Sequence, residues 1–231
     1  MERVTLSDKT GTFDVTVGTV TRASRAVLFA VGAGGNPDRH APLMQALADS
    51  GCSVVAPHFE RLASPHPTEE ELLVRARRLT LALHLNAQPD VPVTGVGHSI
   101  GATVLLALAG GQLWLRPGRP VFIAPDRRID RLALLAPATG FFQAPGALDG
   151  VGTPLAVWVG GLDTTTPPAQ AEFLKRALDR RVPVELHVVD GAGHFSFMHI
   201  LPPHLTDPLP DRHVFLARIE SEVVRFVTVT A

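Results

Sequence analysis

The sequence predicts an α/β protein: a mostly parallel sheet with helices packed on both faces. Three observations carry this. Short β-branched runs alternate with longer helical stretches along the chain. The strand-like runs are apolar at consecutive positions, the pattern of strands covered on both sides. The length, 231 residues, suits one domain of this class spanning 1–231 better than two small ones.

The elements follow in order. Polar segments near Val4 and at Phe13–Val17 read as weak strands on an antiparallel edge. RAVLFAV (Arg25–Val31) is a buried strand, PLMQALADS (Pro42–Ser50) a helix on it, and Ser53–Ala56 a second strand. Thr68 caps a helix that opens with three glutamates and runs to about Asn86. Pro92–Val96 is a strand and Ile100–Ala109 a helix. Arg131–Ala136, Pro154–Val159 and Val184–Val189 are further buried strands, with an amphipathic helix over Ala169–Asp179 between the last two. Asp211–Val227 closes the chain as a long helix. Gln112–Asp130 reads as a small excursion with a strand-like stretch at Val121–Ala124, and PPHLTDPLP (Pro202–Pro210) as a proline-rich loop.

Composition narrows the function. The formal charge is −1 and the charged share 19%, so no basic field exists to recruit nucleic acid. The single cysteine, Cys52, excludes an internal disulfide framework. The opening MERVTLSDKTGTFDV is charged throughout, unlike a secretory leader, and no run approaches the ~18 apolar residues of a membrane span. The expectation is a cytoplasmic protein with no membrane partner.

Between the strand at Pro92–Val96 and the helix at Ile100 lies GVGHSIGAT. Gly97 and Gly101 flank Ser99 in a G-x-S-x-G pattern, in the strand-turn-helix setting where such a turn lifts a hydroxyl above the sheet. A serine hydroxyl is a weak nucleophile near neutral pH, so a base must take its proton and a third group must orient that base. The chain supplies both. Asp163 follows a buried strand in WVGGLDTTTPP, and His194 follows the last strand in VVDGAGHFSF. Loops at the C-terminal ends of strands are where ligand-facing groups collect in open α/β sheets. Asp190 also ends a strand, but it lies only four residues before His194 on the same loop and is the weaker candidate for the acid.

With these residues in view, the chain resembles the α/β-hydrolase superfamily of serine hydrolases, from Ala26 to the last helix. GHSIGA, LLAPA, VGGLDTTTPP and GAGHFSF resemble its dienelactone-hydrolase-like and acetylhydrolase-like esterase branch. The resemblance implies an eight-stranded sheet, with Ser99 as nucleophile, Asp163 as acid and His194 as base. Oxyanion donors are expected at the backbone N–H of Ile100 and, in the glycine-rich VGAGGN, at Ala33 with Gly34 as its neighbour. Val31 departs from the family, where a histidine often precedes the glycine. The chain has no tyrosine, which excludes relatives that use a phenol as oxyanion donor. Dienelactone hydrolases proper carry cysteine at the elbow, and Cys52 lies far upstream of it. The elbow serine likewise excludes an aspartate-based dehalogenase route.

Other residues have weaker claims. His98 is read mainly as packing beneath the elbow, with a place in the pocket as the alternative. Gly34 is a pocket candidate too, and Phe141, Phe142 and Phe195 are candidates for an apolar substrate pocket, with core packing as their competing role. His58 is either a pocket or a surface residue. His194, His199 and His204 lack the companion ligands of a metal site, so neither metal nor cofactor is expected. The short connection Pro137–Gly152 leaves room for only a minimal cap, which suits an open cleft and modest-sized substrates.

The expected activity is therefore hydrolysis of a small-molecule carboxylic ester through an acyl-enzyme on Ser99. Acyltransferase, thioesterase or perhydrolase chemistry on the same triad, or a non-catalytic binding protein on this fold, are the alternatives. No oligomeric state follows from these patterns.

Overall fold

In the computed structural model, which describes residues 1–229, one eight-stranded sheet organises the chain. Its strands are β1 (Glu2–Asp8), β2 (Gly11–Gly18), β3 (Arg25–Ala30), β4 (Cys52–Pro57), β5 (Val93–His98), β8 (Ile129–Leu135), β9 (Leu155–Gly160) and β10 (Val184–Val189). They lie in the order β1-β2-β4-β3-β5-β8-β9-β10. The pairs β1/β2 and β2/β4 are antiparallel and all the others parallel.

The helices are α1 (Ala41–Asp49), α2 (Glu69–Asn86), α3 (Ile100–Leu108), α4 (Pro168–Leu178) and α5 (Arg212–Thr228). Successive side chains of a strand point to opposite faces, so each central strand feeds two cores. Ala26, Leu28 and Ala30 of β3 join α2, α3 and α4 on one side. Val27 and Phe29 join α1 and α5 on the other. Leu132 and Leu134 of β8 divide from Ala133 and Leu135 in the same way, as do Val157 and Trp158 of β9. This two-sided burial is the physical cause of the unbroken apolar runs in the sequence.

The edge hairpin differs. In β1 exposed and half-buried residues alternate, because one of its faces meets solvent. That is why β1 reads weakly as a strand.

α2 starts where the sequence says. The Thr68 hydroxyl accepts the Glu71 N–H at 3.2 Å, and the Glu71 carboxylate accepts the Thr68 N–H at 2.7 Å, a reciprocal capping box. The excursion at Gln112–Asp130 corrects the expectation of a strand at Val121–Ala124. It is a two-stranded antiparallel hairpin, β6 (Leu113–Arg116) and β7 (Arg119–Val121), turning at Gly118 with φ +74°. Pro120 and Pro125 bracket the segment, and the pairing ends before Phe122, whose side chain is exposed. The connection after β8 carries a single 3₁₀ turn, Gly140–Phe142, and no larger cap.

One topological point sets up the site. The chain leaves β3 toward α1 on one face and leaves β5 toward α3 on the other, although β3 and β5 are neighbours. Their C-terminal ends therefore open a crevice between diverging connections.

Candidate active site

Ser99 stands in that crevice at the end of β5. Its backbone adopts φ 55° and ψ −124°, a left-handed conformation that costs a side-chain-bearing residue on the order of 1 kcal/mol or more. Its N–H donates to the Leu135 carbonyl at 3.0 Å and its carbonyl accepts from Thr103 at 3.3 Å, holding the bend between strand and helix. The flanking glycines are required by contact. A Cβ on Gly97 would lie 2.8 Å from the Ala102 nitrogen, and one on Gly101 would lie 2.1 Å from the Ala30 carbonyl oxygen.

His194 and Asp163 meet the serine from two other strand ends. The Ser99 Oγ lies 3.0 Å from His194 Nε2, and His194 Nδ1 lies 2.8 Å from Asp163 Oδ2. The carboxylate accepts the Nδ1–H, which leaves the bare Nε2 to accept the serine O–H. Only 9% of Ser99, 7% of His194 and 3% of Asp163 is exposed, so little water competes for these bonds. Burial pushes the Asp163 carboxyl upward, but hydrogen bonds and charge from His194 and bonds from Thr166 outweigh it, holding the pKa below the usual carboxylate value. Asp163 is therefore an anion at neutral pH, as an acceptor for Nδ1–H must be.

Thr166 was missed by sequence reasoning. Its N–H and that of Thr165 donate to Asp163 Oδ1 at 2.7 and 2.8 Å. Its Oγ1 lies 2.8 Å from Asp163 Oδ2, 3.0 Å from His194 Nδ1 and 3.1 Å from the Ala136 carbonyl. The available signal was Asp-Thr-Thr-Thr at a strand end, because an aspartate that starts a turn takes its bonds from the residues two and three further on. Asp190 is exposed at the end of β10, so the carboxylate brought to the imidazole is that of Asp163.

No protein-family model matches the chain, and no curated protein matches it. Solved structures do. An alpha-beta serine hydrolase homologue from Coxiella burnetii aligns with 98% of this chain and 97% of its own, at 18% identity and a TM-score of 0.67. The Pyrococcus furiosus esterase Pf2001 aligns over 97% and 90%, at 15% identity and a TM-score of 0.67. Thermogutta terrifontis esterase 2 phosphorylated by paraoxon aligns over 100% and 95%, at 16% identity and 0.63. The chain has the α/β-hydrolase fold.

At such identities the likeness carries the architecture, and the chemistry rests on this chain's own residues. Within its α/β-hydrolase fold, the loop after β3 folds as a β-turn closed by the Gly35 N–H on the Gly32 carbonyl at 3.1 Å. A turn of this kind leaves the N–H groups of its two central residues unused, here Ala33 and Gly34. The turn packs on the elbow, since a Cβ at Gly32 would lie 3.3 Å from the Ser99 Cβ. The Ile100 N–H, at the first position of α3, likewise has no partner within the helix.

For His98 the structure corrects the alternative, a place in the pocket, and bears out the main reading, a support beneath the elbow. His98 is 1% exposed, and its Nε2–H donates to the backbone carbonyl of His194 at 3.0 Å. Burial, with repulsion from His194, lowers its pKa to about 3, so the ring is neutral. Phe142 is likewise corrected. It is 1% exposed and fills the core against Gly111, because the 3₁₀ turn rolls it inward. Phe141 is half-buried against the same core. Phe195 stands edge-on to the His194 ring at 5.0 Å between centroids, at the site itself. His58 is tied to the edge of the sheet through the Thr16 hydroxyl at 2.8 Å. His199 pairs with Glu220 of α5 and His204 is exposed, so these two do not converge with His194. No cluster of three or more His, Cys, Asp or Glu side chains able to hold a metal occurs among the described residues. Nor, among them, is any helix long and apolar enough to cross a membrane.

A surface hollow of about 340 Å³ lies toward the opposite ends of the strands, lined by Arg131, Trp158, Glu222 and Phe226 among others. It contains no nucleophile paired with a base.

Proposed function

We propose that this protein is a serine hydrolase of carboxylic esters. The observation that carries the reading is the unbroken chain from Ser99 Oγ through His194 to Asp163, at 3.0 and 2.8 Å, beginning at a serine held with positive φ. Ser99 Oγ attacks the ester carbonyl carbon while His194 Nε2 takes its proton. Asp163 holds the imidazole in the tautomer that can do this and stabilises its cation. The N–H groups of Ala33 and Ile100 receive the oxyanion. Collapse of the tetrahedral intermediate expels the alcohol, which leaves with the proton from His194. Water, deprotonated by the same nitrogen, then attacks the acyl-serine, releasing the acid and restoring the hydroxyl. No cofactor enters the balance.

Two of the fold neighbours named above are esterases, one of them phosphorylated by paraoxon, and the motifs resembling the dienelactone-hydrolase-like and acetylhydrolase-like branch support the same reading. The minimal connection after β8 supports short-chain, water-soluble esters.

A fluorophosphonate probe tests the assignment. It should label the protein at one site, and Ser99→Ala should abolish both the label and turnover of p-nitrophenyl acetate and butyrate. Folded wild-type protein that neither takes the probe nor hydrolyses any ester in a chain-length series would sink it.

A further inference from the structure

A guanidinium is buried directly behind the turn that carries Ala33. Arg75 stands on the core-facing side of α2 with Leu72, Ala76 and Leu79, and only 3% of it is exposed. Its hydrogen bonds all go to backbone carbonyls. Nη1 donates to Val31 and Gly32, and Nη2 to Glu60, each at 3.2 Å. The guanidinium also lies over the Phe59 ring, 4.7 Å from its centroid. Burial pushes its pKa down to about 10, offset in part by Glu71, which leaves it a cation at neutral pH.

Burying a cation is costly, and an apolar side chain of similar size would fill the same space without that cost. What the cation adds is direction. A peptide group is planar and trans, so its C=O and N–H point opposite ways. With the Gly32 carbonyl drawn toward Arg75, the N–H of Ala33 in the same peptide faces away from the guanidinium. The Val31 carbonyl orients the Gly32 N–H in the same manner. Charge-assisted bonds to these oxygens also polarise the peptides and strengthen their N–H groups as donors. The rest of the turn is stitched down by Leu62 N–H on the Ala33 carbonyl at 2.9 Å and Phe59 N–H on the Gly35 carbonyl at 2.8 Å. Gly32 itself abuts Ser99.

We propose that Arg75 is a positioning residue for catalysis: it orients and polarises the Val31–Gly32–Ala33 peptides so that the Ala33 N–H meets the oxyanion formed by attack of Ser99. This rests on the ester-hydrolase reading above. Arg75 acts through the backbone and touches no substrate.

The test uses full-length Arg75→Met and Arg75→Lys, each checked for folding by thermal melting. The readouts are the second-order rate of Ser99 labelling by a fluorophosphonate, whose phosphoryl oxygen needs the same donors, and kcat and KM on p-nitrophenyl acetate per titrated active site. Removing an oxyanion donor outright costs about a hundredfold to a thousandfold in kcat, so misaligning one in Arg75→Met should cost roughly tenfold to a hundredfold in kcat and in labelling rate. KM should stay near the wild-type value, and Arg75→Lys should recover part of the loss. A folded Arg75→Met with wild-type labelling and kcat, or with a change in KM alone, overturns the inference. If Arg75→Met does not fold, Arg75→Lys decides. It keeps the charge but cannot span three carbonyls, so a severalfold loss supports the role and an unchanged labelling rate refutes it. Wild-type protein that takes no label would bring down the hydrolase reading and this inference together; normal wild-type labelling with an unaffected Arg75→Met brings down this inference alone.

Discussion

Ser99 has two sides, and they are built from different materials. On one side stand the side chains of His194, Asp163 and Thr166, from the loops after β9 and β10, joined by bonds of 2.8–3.0 Å. On the other are backbone groups, the turn at Gly32–Gly35 and the first N–H of α3, with Arg75 behind the turn. In the proposed ester hydrolysis each residue type on the first side is a chemical requirement. On the second, function depends on where side chains are missing and which way peptides face. The two sides should therefore fail differently when altered.

The largest expected effect is on the side-chain side. Asp163→Asn removes the anion that selects the imidazole tautomer and should lower kcat on p-nitrophenyl esters by roughly a thousandfold to ten-thousandfold. Asp190→Asn should leave kcat nearly unchanged, and equal losses in the two variants would dissolve the assignment of the acid. Next comes a break on the backbone side. In Gly101→Ala the new Cβ would sit 2.1 Å from the Ala30 carbonyl oxygen, which is backbone and cannot swing away. The cost should reach about 3 kcal/mol or more, read as a lower urea midpoint with any surviving activity roughly in proportion to folded protein. An unchanged midpoint would mean that α3 can lift off β3.

A smaller effect sharpens the side-chain account. Thr166→Val keeps the shape but removes the hydroxyl, while the Asp163 bonds to two backbone N–H groups and to His194 persist. Loss of one hydrogen bond worth about 1 kcal/mol corresponds to roughly fivefold in kcat, with KM little changed. No change in kcat would make Thr166 a purely structural neighbour.

The last effect is read on stability. His98 has its pKa lowered from 6.5 to about 3, chiefly by burial, and His40, tilted against it with ring centroids 5.4 Å apart, is also lowered by burial. The unfolded chain then binds more protons than the folded one below 6.5, so stability is complete above that pH and falls as acid takes the chain from 6.5 toward 3. Each ring adds at most about 1.4 kcal/mol per pH unit to the slope. His98→Asn should flatten the fall of melting temperature between pH 6.5 and 4. An unchanged slope would put the acid sensitivity elsewhere.

Much of this was legible in the chain. Strands covered on both faces show as unbroken apolar runs, and Gly-x-Ser-x-Gly between strand and helix marks the elbow. Asp163 and His194 were marked by their place after strands. Illegible parts share a cause. Phe142 and His98 are ambiguous as letters, because an aromatic ring suits a core as well as a pocket, and only packing places them inside. The hairpin at Leu113–Val121 is shorter than its strand-like residues suggest, because exposure of Phe122 follows from where pairing stops. Arg75 lies at core-facing spacing between Leu72 and Leu79, a visible oddity whose partners could not be read.

The sequence by itself determined the covered parallel sheet, the strained serine and the residue types able to activate it, since these rest on local periodicity, on the conformational freedom of glycine and on side-chain chemistry. Tertiary structure alone decided that Thr166 bonds the Asp163 carboxylate, that the His98 ring bonds the His194 backbone and which way the Ala33 peptide points. The physical reason is distance along the chain. Ser99 meets His194 across 95 residues and Arg75 meets Val31 across 44, and such pairings are set by strand order and helix packing, which no local stretch of sequence contains.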